Sequence, residues 1–137
     1  MKRNVLFSAA AMAVLIGISS TVALAHHSFA AQYDRNKQAT LNGPVTKVDW
    51  INPHARFFVD SKDASGKVVN WEVELAAPAM LLRRGWTRNS LKIGEPVTVS
   101  GSLAKDGSNL LNATTVTLSD GKKVFAGSSG GDDGTNP

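Results

Sequence analysis

Between residues 41 and 118 the apolar side chains fall on alternate positions, in short runs separated by turn-forming clusters. A side-chain period of two suits a half-buried strand and does not suit a helix. The clearest run sets Val69, Trp71, Val73 and Leu75 against Asn70, Glu72 and Glu74. Phe57 and Val59 alternate with Arg56, Phe58 and Asp60, and Val97 and Val99 with Thr98 and Ser100. Asn52-Pro53, Asp63-Ala64-Ser65-Gly66 and Lys105-Asp106-Gly107-Ser108-Asn109 punctuate the runs as turns. In the first run, Leu41, Val45, Val48 and Trp50, the phase slips between 45 and 48, close after Gly43-Pro44. Such a slip predicts a bulge or a sharp coil in that strand. A Thr- and Val-rich segment over 110–118 reads as a fifth strand, and Val124-Phe125 as a stub.

One segment breaks the period. Pro78-Ala79-Met80-Leu81-Leu82-Arg83-Arg84-Gly85 predicts a short helix, with Pro in its first turn and Gly past its end. Three strands, a helix and two strands is the order of an OB-fold. The expected fold class is therefore all-β: a small OB-like five-stranded Greek-key barrel over residues 39–126, with one short helix between strands 3 and 4. A plain five-stranded sandwich is the alternative that the same pattern allows. Residues 26–38, HHSFAAQYDRNKQ, form an N-terminal segment with no clean period. Residues 127–137, GSSGGDDGTNP, cannot bury a core and read as a disordered tail.

Ahead of the barrel, Lys2 and Arg3 precede an apolar run over 5–17 and the small-residue site Ala23-Leu24-Ala25. These are the three parts of a cleaved secretory signal peptide, residues 1–25. The run is short of the roughly 20 residues needed to span a bilayer, so no stable membrane span is expected after cleavage. The chain has no cysteine, which excludes a disulfide framework, a thiolate metal cluster, a Cys nucleophile and a lipidated cysteine. The mature protein is expected to start at His26 and to be periplasmic, or secreted if the host has a single membrane.

The whole chain carries 15 Lys+Arg against 11 Asp+Glu, but Lys2 and Arg3 belong to the signal. Residues 26–137 keep 13 basic and 11 acidic groups, a net of +2. With export, that modest charge argues against a basic nucleic-acid footprint, and no nucleic acid is expected as a partner.

Several blocks resemble a known family. His26-His27-Ser28-Phe29 comes first, then Val48-Asp49-Trp50-Ile51-Asn52-Pro53-His54 and Asn70-Trp71-Glu72. Leu81-Leu82-Arg83-Arg84-Gly85-Trp86-Thr87 and Lys105-Asp106-Gly107-Ser108-Asn109 follow in the same order. Together they are similar to a family of small exported bacterial proteins described as a domain of unknown function. The resemblance spans residues 26 to about 127 and implies an exported OB-like domain beginning with a His pair. It implies no activity. Ala55-Arg56 departs from the bulkier apolar residue and aromatic expected after the Asn-Pro-His block.

All three histidines, His26, His27 and His54, are candidate metal ligands. A terminal His can chelate through its α-amine and Nδ1. The amine's ordinary pKa of about 8 lets a metal displace its proton near neutral pH. A third nitrogen from His27 or His54 completes a set suited to Cu(II), so copper is the candidate cofactor, and the alternative is none. The arrangement resembles the histidine brace of exported copper enzymes and carriers. A small periplasmic copper chaperone with His, Met and Trp ligands also uses an OB-fold, with Trp50 and Met80 as partial analogues here. Against this stands a solvated terminus and a loop histidine satisfied by backbone.

Other polar and aromatic residues read as structural. Glu72 and Glu74 lie on the polar face of the third strand, with Asp49 and Asp60 on the first two. There they are expected to be solvated or paired across the sheet. Trp71 reads as core and Trp86 as a plug at the barrel's end, with Trp50 left open. Arg83, Arg84 and Arg88 form a basic cluster expected to make surface ion pairs. No Ser–His–Asp elbow, P-loop or dinucleotide motif is present. The chain reads as an exported binding module, with no catalytic residues assigned. The alternative is a structural or interaction module whose partner is a periplasmic or envelope protein. An enzyme would require an oxidative copper site.

Overall fold

The computed structural model describes residues 29–127. A helical turn over 29–32 leads into β1 (Tyr33–Asp49), followed by β2 (Arg56–Lys62) and β3 (Val68–Glu74). Helix α1 (Pro78–Arg83) comes next, then β4 (Pro96–Ala104), β5 (Leu110–Thr117) and β6 (Lys123–Phe125). The sheet order is β3-β2-β1-β4-β5-β6, and a further pairing of β3 with β5 closes it. That closing pair is parallel, and every other pair is antiparallel. The result is a mostly β, OB-like barrel with a little helix between β3 and β4. It has six strands where five were expected, because the 124–125 stub pairs with Thr115–Thr117.

The long first strand serves both halves of the barrel. Its first part pairs with β4 from Tyr33↔Ala104 to Pro44↔Pro96, and its end pairs with β2 from Val45↔Val59 to Asp49↔Arg56. The register shifts between Val45 and Lys47, where the apolar phase slips in the sequence. Glycine permits the strands to cross closely: a Cβ on Gly43 would lie 1.7 Å from the Asp60 carbonyl oxygen, and one on Gly101 2.0 Å from that of Asn112. Helix α1 begins at Pro78 and is followed by Gly85 at φ +86°, a left-handed conformation that glycine adopts without strain.

The alternating residues meet inside. Leu41, Val45, Phe57, Val59, Val73, Leu75, Val99, Leu111 and Val116 form one buried core with Leu81 and Trp86. Trp86 is buried as expected and donates its Nε1–H to the Phe125 carbonyl at 3.1 Å. Trp71 and Trp50 are half-buried against the same core. Arg84 binds the far end of the fold: it donates to the Gly127 carbonyl at 2.9 Å and stacks over the Phe125 ring at 4.6 Å. Gly127, the first residue of the expected tail, is buried. No helix among the described residues is long and apolar enough to cross a membrane.

Candidate functional site

Outside the barrel, three buried polar side chains, Glu74, Ser102 and Asn112, gather under the start of the described chain. Val73, Leu75, Leu111 and Ala113 face the core, so Glu74 and Asn112 between them face outward. Yet Glu74 is only 7% exposed and Asn112 4%. What covers them is the N-terminal segment. Phe29 and Tyr33 stack with ring centroids 5.4 Å apart and form a small apolar cluster with Ala104, flanked by Leu110 and separate from the barrel core. Their spacing of four puts both on one face of the turn. Backbone and side chain of Lys105 fix the turn, donating to the Gln32 and Ala30 carbonyls.

Beneath this strap the polar groups satisfy one another. The Asn112 amide donates to Glu74 Oε1 at 3.0 Å. Arg56, opposite Glu74 in the β2–β3 register, pairs closely with Glu72 and lies 3.8 Å from Glu74 Oε2. Gln38 donates to the buried Ser102 hydroxyl at 2.8 Å. The expectation of cross-strand pairing holds for both Glu72 and Glu74 through Arg56; the burial of Glu74 beneath the strap was not expected. The Tyr33 hydroxyl is the exception: it is buried with no hydrogen-bond partner of ordinary geometry. Burial first, then the neighbouring Glu74 carboxylate, push its pKa far above the usual tyrosine range. The phenol therefore stays protonated.

One end of this strip carries His54. The β2–β3 ladder continues past its formal end, with Ala55 N–H donating to Ala76 O at 3.1 Å and Leu75 N–H to Ala55 O at 2.8 Å. His54 Nδ1 lies 3.1 Å from the Leu75 carbonyl oxygen. A carbonyl only accepts, so Nδ1 carries a proton, and Nε2 is the nitrogen left to accept. The ring is half-buried, held by backbone as the structural reading anticipated, but with its second nitrogen uncommitted. His26 and His27 lie outside the described residues. Among the described residues no group of three or more His, Asp or Glu side chains converges in a way that could hold a metal.

Arg84, expected with Arg83 and Arg88 to make surface ion pairs, instead donates to the Gly127 carbonyl and stacks on Phe125. The carboxylates of β1 and β2 keep surface partners. Asp49 pairs with Lys47 at 2.7 Å, and Asp60 accepts from Asn70 at 2.7 Å. The sequence reading missed Tyr33 and the burial of Glu74. A signal existed in the spacing of Phe29 and Tyr33, two aromatics on one turn in an otherwise polar segment, which need a surface to pack on.

The fold is similar to that of a mitochondrial single-stranded DNA binding protein of S. cerevisiae, with a TM-score of 0.47 and 10% identity, over 61% of this chain and 93% of that one. It is also similar to the N-terminal domain of the PriB protein of Thermoanaerobacter tencongensis, with a TM-score of 0.39 and 15% identity, over 61% of this chain and 96% of that one. The first of these corrects the expectation of no nucleic-acid partner. That exclusion was drawn from export and net charge, which are global properties, whereas ligand choice is decided by the local surface of the barrel. No curated protein sequence matches the chain. The family model described as "Family of unknown function (DUF6152)" matches residues 14–112, most of the chain, and the protein belongs to that family.

Proposed function

We propose that the protein is an exported binding module that takes one Cu(II) ion at its mature N-terminus. In this reading the signal is cut after Ala25 and the mature chain is periplasmic, or secreted from a host with one membrane. The copper ligands are the α-amine and imidazole of His26 with Nε2 of His54, or with His27 in its place. The observation that supports it best is the orientation of His54. Its Nδ1–H donates to the Leu75 carbonyl at 3.1 Å, which fixes the tautomer and leaves Nε2 as the donor. A metal-binding histidine is commonly held in this way by a backbone carbonyl. Nitrogen ligands in a planar set favour Cu(II) over other divalent ions.

The test is copper titration of three proteins: the mature chain starting at His26, the same chain with one extra N-terminal residue, and His54→Ala. The extended protein keeps every imidazole but loses the amine at His26. Tight binding by the mature chain with loss in the extended protein is the expected result; loss in His54→Ala assigns the third nitrogen to His54, and retention assigns it to His27. Equal affinity in all three would remove the copper site, leaving the interaction module of the envelope as the reading to pursue.

A further inference from the structure

Segment 75–94 closes one end of the barrel. Ala76 N–H ties its start to the Ala126 carbonyl at 3.1 Å, and Gly94 N–H ties its finish to the Val45 carbonyl at 2.7 Å. Between these ties Leu81, Trp86 and Leu91 turn inward and are buried in the core. The residues set between them face out from the barrel's end: Leu82, Arg83, Arg88, Lys92 and Ile93 are all exposed. Leu82 is 55% exposed and Ile93 73%, the most of any large apolar side chain among the described residues.

The same end holds the excess charge of the fold. Residues 29–127 carry 13 basic and 9 acidic side chains, and segment 75–94 has 4 of the basic and none of the acidic. The remainder of that span is neutral, with 9 of each. Arg84 is engaged by the Gly127 carbonyl and the Phe125 ring. Arg83, Arg88 and Lys92 make no salt bridge among the described residues. Glu95, the next acid along the chain, accepts instead from the Ser119 hydroxyl at 2.7 Å and from the Lys92 backbone N–H at 3.2 Å.

Apolar tips set among unpaired cations suit the surface of an anionic bilayer. The tips enter the boundary between headgroups and acyl chains, and the cations meet the lipid phosphates. A guanidinium matches phosphate with two parallel N–H donors. A free anion would use the cations but leave Leu82 and Ile93 in water. A second copy of the chain would bring like charges together, which is costly. We propose that the closed end of the barrel, through Leu82, Arg83, Arg88, Lys92 and Ile93, docks the protein on an anionic phospholipid surface. The docking is peripheral and independent of the copper reading.

The experiment is cosedimentation of the mature chain, which lacks the apolar run over 5–17, with vesicles. One set is phosphatidylcholine and phosphatidylglycerol in equal parts, the other pure phosphatidylcholine. Binding is expected on the mixed vesicles alone, weakening as salt is raised. A cation near such a surface strengthens partitioning about fivefold, so Arg83→Gln, Arg88→Gln and Lys92→Gln together should weaken it about a hundredfold. Leu82→Ser with Ile93→Ser keeps every charge and should weaken binding about tenfold. All five side chains are exposed, so thermal unfolding should stay at the parent's value. Lys62 and Lys67 flank the turn at the other end of β3 from α1, and Lys62→Gln with Lys67→Gln should bind nearly as the parent does. The proposal is overturned if the mixed vesicles bind no protein, if the double serine variant binds as well as the parent, or if the Lys62 and Lys67 variant loses as much as the triple one. It is also overturned if polyglutamate is captured equally well with the same dependence on Leu82 and Ile93, which would make the partner an acidic protein.

Discussion

Leu111 and Asn112 are consecutive on β5 and both buried, but different parts of the chain bury them. Leu111 is enclosed by the barrel itself, among residues drawn from β1 to β5. Asn112 points the other way and is covered by a strap anchored by two aromatics. The first kind of burial is redundant and apolar, so every strand contributes to it and none can leave alone. The second is polar and local, and it lasts only as long as the strap is seated. The barrel is a scaffold held by many weak contacts acting together, whereas the strap is a separate decision of the same chain.

The sharpest way to break the scaffold is at its two crossing glycines. Gly43→Ala and Gly101→Ala would each drive a Cβ to within 2.0 Å of a backbone carbonyl oxygen, where no flexible side chain can yield. Each is expected to cost more than about 4 kcal/mol or to prevent folding. Urea unfolding of soluble protein, or its absence from the soluble fraction, reads this out. A fully stable Gly101→Ala protein would mean that β4 and β5 do not cross as closely as described.

Neighbouring truncations on β5 then compare the two kinds of burial directly. Leu111→Ala leaves a cavity in the sealed core and should cost about 2–5 kcal/mol. Asn112→Ala removes a hydrogen bond from the buried Glu74 carboxylate and should cost less, about 1–3 kcal/mol. Glu74 regains water once the strap lifts, so part of that cost should appear as faster amide hydrogen exchange in the strap and not as a lower urea midpoint. Equal midpoint losses for the two variants would make strap and barrel one cooperative unit.

The two regions were also unequally legible. Strand alternation located the core residues of β2, β3 and β4, because Phe57, Val59, Val73, Val97 and Val99 are buried while Arg56, Asp60, Asn70, Glu72, Thr98 and Ser100 between them are not. The slipped phase marked the bulge at Val45–Lys47, and Pro78 with Gly85 bounded the helix. By contrast β1 begins at Tyr33, six residues ahead of the expected barrel start, through a run of polar residues with no period of its own. These residues join the sheet because β4 offers unpaired backbone at Leu103–Ala104, a long-range reason that no local pattern carries. Glu74 follows the alternation faithfully and is still buried, because its cover comes from forty residues upstream in the chain. His54 was singled out by residue type, but the backbone carbonyl that orients it belongs to another strand.

Alkaline titration probes the strap through a single group. Tyr33 is the chain's one tyrosine, so ultraviolet difference titration of tyrosinate reports on it alone. In an unfolded chain it ionises near 10.0, whereas burial and the Glu74 carboxylate keep it protonated well beyond that in the fold. Unfolding then releases a proton above 10.0, so the stabilising contribution is whole below that pH and is lost as pH rises. The slope approaches about 1.4 kcal/mol per pH unit and should vanish in Tyr33→Phe. If the strap lifts before the barrel unfolds, tyrosinate should appear ahead of the loss of tertiary signal. A phenol titrating near 10.0 in native protein would mean that the strap is not seated.

The smallest effect belongs to the hairpin turns, which owe nothing to the strap. Asp63 Oδ1 accepts from the Ser65 hydroxyl at 2.6 Å, from Ser65 N–H at 2.8 Å and from Lys67 N–H at 3.0 Å. Asp106 makes the same contacts with the Ser108 hydroxyl and N–H at 2.6 and 2.9 Å. In both, the serine hydroxyl is the main cause of a carboxyl held below its ordinary 3.8. A lowered folded-state pKa means that the contribution is present above 3.8 and disappears as acid protonates the carboxylate. Both groups are fully exposed, so the effect on stability should be slight, and NMR titration is the sensitive measurement. Ser65→Ala should return Asp63 toward 3.8 while leaving Asp106 low, and Ser108→Ala should do the reverse. Neither variant should alter strap exchange. If Ser65→Ala speeds exchange at Tyr33, the turns and the strap communicate, and the division of the molecule into two independent regions fails.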